Sequence, residues 1–102
     1  MTLDDETAAA IEAAVLAVPG VAELYRANPG LGTAVDSARR LAGRAPGSRV
    51  ALDEDVLRVV IGTDGSVPAP STARAAHAAA YEAATGHGVT LARVDVRIAR
   101  VG

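Results

Sequence analysis

The chain has 102 residues, a formal net charge of −2 and a pI of about 5.6, a size that fits one domain spanning residues 1–102. With no cysteine it has neither a disulfide frame nor thiolate ligands. Mild acidity and only two tyrosines, with no Phe or Trp, argue against general nucleic-acid binding by charge or by base stacking.

The first predicted element is a helix over residues 4–18. Ile11, Val15 and Val18 recur at helical spacing, and Asp4, Asp5 and Glu6 sit where the helix dipole favours acidic groups. This acidic start is unlike the basic opening of a secretory signal. Pro19-Gly20 ends the helix, and Val21–Tyr25 alternates as a short strand. Asn28-Pro29-Gly30 reads as a turn. Thr33 and Asp36 resemble a capping box and Gly43 a stop, which predicts a helix over 34–42.

Arg49–Leu52 and Val56–Ile61 read as a hairpin with a three-residue turn, Asp53-Glu54-Asp55. The second of these strands is apolar on nearly both faces, which predicts a central position. Thr63 to Ser66 is a turn. A second helix over 71–85 follows, with Ser71 as N-cap, Ala73, Ala76, Ala80 and Ala84 as a stripe of close contact, and Gly86 at the left-handed C′ position. Val89 and Leu91 then share one strand face. Val94, Val96 and Ile98 take the opposite parity, which predicts irregularities near Ala92-Arg93 and again before Val101.

No segment approaches the roughly 18 apolar residues that cross a bilayer. The composition thus predicts a soluble, cytoplasmic protein. Many of its hydrophobic residues are alanine, which buries little area, so a lone copy is expected to be only moderately stable, a state that favours self-association. The expected fold class is α+β: a two-layer sandwich with two helices on one face of a mainly antiparallel sheet. The expected core is Ile11, Val15, Val18, Leu57, Val59, Ile61, Val94, Val96 and Ile98, faced by Ala73, Ala76 and Ala80.

Several of these segments together resemble the alkaline-shock, or envelope stress response, proteins of Gram-positive bacteria. They are the helix running into Val18-Pro19-Gly20-Val21, the strand ending Leu57-Arg58-Val59-Val60-Ile61, the helix ending Thr85-Gly86, and the strand Val94 to Val101. About two thirds of the chain takes part; residues 27–48 depart from the pattern, where the resemblance implies strand or turn. The resemblance implies a non-enzymatic cytoplasmic protein, peripheral to the membrane through a membrane-anchored relative or self-assembled near the cell envelope. It brings no catalytic motif and no cofactor.

Arg74, His77 and Tyr81 share a helix face as a weak polar cluster, but no Ser, Cys or carboxylate stands at helical spacing to complete a catalytic set. Asp53-Glu54-Asp55 lacks the alternating ligands of a Ca²⁺ loop, and neither Gly-rich segment has a phosphate-loop Lys-Ser/Thr. Arg93, Asp95 and Arg97 share one face of the last strand and form a candidate partner surface. These features predict no catalytic, cofactor or metal residues, no nucleic-acid partner and no direct membrane insertion. A small ligand-binding α+β module of unknown ligand is the alternative to a protein-contact role.

Overall fold

A computed structural model describes residues 3–25, 27 and 49–102. The predicted helix over 34–42 lies outside these residues. Along the chain come α1 (Asp5–Leu16), β1 (Val21–Tyr25), β2 (Ala51–Asp53), β3 (Val56–Thr63), α2 (Ala69–Gly86) and β4 (Arg93–Val101).

α1 begins at Asp4, whose carboxylate accepts the Thr7 N–H at 2.6 Å. The Thr7 hydrogen bonds hold that carboxyl below its usual pKa, with a smaller contribution from nearby His87. A depressed carboxyl stabilises the fold above its unfolded pKa, and that help fades as pH falls through the folded value. Thr7, Ala8, Ile11 and Val15 form the buried stripe. The helix stops at Leu16, two residues before the expected end, so Val18 lies beyond it, half-buried and outside the core.

β3 is central, as its two-sided apolar pattern predicts. β1 pairs antiparallel with its C-terminal half and β2 antiparallel with its N-terminal half, so these two share one edge. β4 takes the other edge and runs parallel. The sheet is therefore mainly antiparallel, with one parallel pair. That pair follows from α2, because parallel neighbours need a long crossover connection. The hairpin turn is shorter than expected: Asp53 pairs with Val56, leaving only Glu54 and Asp55 in the loop, with Glu54 at φ +56°.

Both helices pack on one face of the sheet. Ile11 and Val15 meet Leu57, Val59 and Ile61, while Ala76, Ala80 and Ala84 bring α2 close to the strands. Leu24 and Val50 complete this core and were not foreseen. Val96, Ile98 and Ala73, expected inside, are only half-buried because they lie at the β4 margin of the sandwich. The irregularity before Val101 is a bulge: Ile61 pairs with Ile98 and Gly62 with Arg100, so Ala99 is the extra residue. The parity change near Ala92 has a simpler cause. Residues 89–92 are not strand, and β4 begins only at Arg93.

Both ends of α2 differ from expectation. The cap residue is Pro68 rather than Ser71, since Pro70 is tolerated within the first turn, where its missing N–H is not needed. At the other end Gly88, not Gly86, takes the left-handed conformation, at φ +85°. The Val89 N–H donates to Ala84 O at 3.0 Å and the Gly88 N–H to Thr85 O at 3.0 Å, the Schellman pattern. Gly88→Ala is thus expected to cost about 1–2 kcal/mol. Gly86→Ala is expected to add about 0.5–1 kcal/mol, since Gly86 is helical and a Cβ there meets no atom within 4 Å. Paired urea titrations of the two variants check the assignment; equal signs would contradict it.

Candidate functional site

The two surface features read separately from the sequence meet at one margin of the fold. The crossover lays α2 beside β4, and an open groove of ≈ 840 Å³ runs between them. Ala73, Arg74 and His77 line it from α2; Val94, Asp95, Val96 and Arg97 line it from β4. Alanine packs α2 tightly against the strands at Ala76, Ala80 and Ala84, yet at Ala73 the same small side chain borders an open recess. Tyr81 is exposed and stands outside the groove lining.

Arg93, Asp95 and Arg97 all face solvent. Arg93 grips Asp95 with two nitrogens, Nε to Oδ1 and Nη2 to Oδ2, each at 3.2 Å. Both side chains are half exposed or more, so the pair adds little to stability. Arg97 and Arg74 have no ion-pair partner among the described residues. His77 is exposed and bonded to no described side chain. The groove is therefore apolar in its floor and cationic at its rim, with no nucleophile and base in contact.

β4 contributes more than side chains. Among the described residues it pairs with β3 alone, so no described residue pairs with the other edge of its nine residues. The Ala92 N–H donates to Asp55 O at 2.8 Å, toward the β3 side. Val56 and Arg58 bond to β2, so Leu57, Val59 and Ile61 turn their backbone groups to β4; the parallel register then turns those of Arg93, Asp95 and Arg97 toward β3, and those of Val94, Val96 and Ile98 toward the other edge.

A second polar cluster was not foreseen. Glu23, Gly62 and Arg100 occupy one row across β1, β3 and β4, and the Ala99 bulge sets Arg100 in that row. Gly62 leaves room for the Tyr25 ring: a Cβ there would lie 3.1 Å from Tyr25 Cε2. The Tyr25 hydroxyl donates to Glu23, which raises its pKa, while Arg100 works the other way. The alternation of Glu23 and Tyr25 was the available signal, but the row depends on register across three strands.

On the hairpin, Asp53 pairs with Arg58 at 3.1 Å. Among the described residues no three His, Asp or Glu side chains gather in a metal-binding arrangement, and no helix is long and apolar enough to cross a membrane. Comparison with family models, curated proteins and solved structures found no match to the chain.

Proposed function

We propose that this chain is a non-enzymatic interaction protein of the alkaline-shock type, acting through protein contacts or self-assembly near the cell envelope. The observation that carries the reading is the β4 edge, which no described residue pairs, beside the α2 groove. An exposed strand edge offers a row of N–H and C=O groups to another chain, and an adjoining groove receives side chains from it. The family half of the reading rests on the resemblance of Val18 to Val21, Leu57 to Ile61, Thr85-Gly86 and Val94 to Val101. The partner it calls for is a second copy or a membrane-anchored relative.

Val96→Pro tests the reading. The Val96 N–H faces the edge away from β3, so proline there removes a donor for the partner while sparing the β3 ladder. Affinity capture from envelope-stressed cells is expected to enrich this chain's own copies or a membrane-anchored relative, and Val96→Pro is expected to abolish that enrichment. Recovery of soluble metabolic enzymes alone, equally with both forms, would overturn the reading.

A ligand-binding role is favoured by one observation, that Arg74 and Arg97, without an ion-pair partner among the described residues, border an apolar floor. Such a site would take an anion with an apolar body. Calorimetric titration with a fatty-acid carboxylate checks it, and a response lost in Arg74→Ala would move the assignment to this second reading.

A further inference from the structure

We propose that β4 pairs with β4 of a second copy of this chain, antiparallel across a twofold axis at Val96. This rests on the reading above, that the β4 margin is a contact surface, and it names the occupant and the register.

The backbone sets the first condition. In an antiparallel pair, opposed residues alternate between those that exchange hydrogen bonds and those that do not. Val96 turns its N–H and C=O away from β3, so Val96 on the axis is a hydrogen-bonded pair that exchanges two bonds with its own copy. Its neighbours Asp95 and Arg97 turn theirs toward β3. Asp95 of one copy then lies opposite Arg97 of the other as a non-hydrogen-bonded pair, where side chains come closest, and symmetry repeats the pair.

Charge selects this register over its rivals. On the Val96 axis Asp95 lies opposite Arg97, Val94 opposite Ile98, and Arg93 opposite Ala99. An axis at Arg97 opposes two arginines. An axis at Asp95 opposes two aspartates and sets Arg93 against Arg97. An axis at Val94 also pairs Arg93 with Asp95, but it carries the ladder into residues 91–92, which are not strand. An axis at Ile98 puts the Ala99 bulge inside the ladder. Only Val96 gives opposite charges, a flat ladder and apolar pairs together.

Burial points the same way. Val96 and Ile98 face the helix layer but stay half-buried at the margin of a lone copy. Across the axis Val96 packs on its own copy and Ile98 on Val94, extending both cores. Residues 93–98 contain no Pro or Lys, the usual guards of an edge strand.

Two sets of exposed variants test this. Asp95→Arg and Arg97→Asp are each expected to weaken self-association about tenfold or more, read by sedimentation velocity. Mixing the two is expected to restore a heterodimer, since the Asp of one then meets the Arg of the other. Independently, opposed Cα atoms at a hydrogen-bonded pair lie about 5.5 Å apart, within disulfide reach. In a chain without native cysteine, Val96→Cys is expected to cross-link under mild oxidation, and exposed Asp95→Cys is expected not to. Self-association that ignores both charge reversals overturns the register. A chain monomeric at millimolar concentration overturns the second copy as occupant; if Val96→Pro still abolishes capture of a relative, the function proposed above survives, and if it does not, both fall.

Discussion

Leu57→Ala is expected to lower stability by about 3–4 kcal/mol, near the middle of the range for buried leucine. Leu57 is fully buried in the central strand, flanked by Leu52 on one side and Val94 on the other. The core has no Phe or Trp, and its largest fully buried side chains are Ile11, Leu57, Ile61, Val15, Val59 and Thr72. One leucine is therefore a large share of the interior. α2 enters the same core only through Ala76, Ala80 and Ala84, whose single methyl groups cannot swing into a cavity. Relaxation would require α2 itself to move toward the sheet, against the β4 contacts that hold it. Urea unfolding with an unchanged slope and a lowered midpoint checks this. A loss below about 1 kcal/mol would mean that the alanine face collapses freely onto the strands. Leu52→Ala, at a half-buried position on the short β2, is the internal reference and is expected to cost less.

The features legible in the sequence are those that depend on one element at a time. The two-sided apolar run of β3 gave its central place, and the Ala76, Ala80, Ala84 spacing gave the close face of α2. Where two neighbouring residues offered the same cue, sequence could not choose: Gly86 and Gly88 both suit a left-handed cap, and only the Val89 and Gly88 hydrogen bonds decide for Gly88. Ser71 looked like a cap because Pro70 looked like a barrier, although a helix tolerates proline in its first turn. The candidate site was visible only as two fragments. Arg74 and His77 lie on a helix and Asp95 and Arg97 on a strand, and it is the parallel crossover that sets them around one groove. The Glu23, Gly62, Arg100 row was hidden for the same reason, since it combines two strand registers with a bulge.

Gly20→Ala is the other substitution with a large expected effect, about 3 kcal/mol or more. Val18 to Val21 form a turn closed by the Val21 N–H donating to Val18 O at 3.1 Å, with Pro19 and Gly20 in its centre. Proline fixes the first central residue and glycine supplies the second, at φ +95°. Backbone strain accounts for about 1–2 kcal/mol of the cost of a side chain there. The rest comes from the start of α2. A Cβ on Gly20 would lie 2.5 Å from Thr72 Oγ1 and 3.2 Å from Val67 Cβ, both too close. Thr72 cannot yield easily, because it is fully buried and its hydroxyl lies 3.4 Å from Pro68 O. Nor can the turn back away, since Gly20 O accepts the Asp64 N–H at 2.9 Å and so anchors it to the end of β3. The turn thus joins α1, β3 and α2 at one point. A double-mutant cycle separates the two causes. Thr72→Ala removes the obstructing hydroxyl, so Gly20→Ala is expected to cost less in that background by about 1 kcal/mol or more, leaving the backbone part unrelieved. Strict additivity of the two variants would show that the cost is backbone strain alone, and that close approach of α2 is not what requires glycine at the turn.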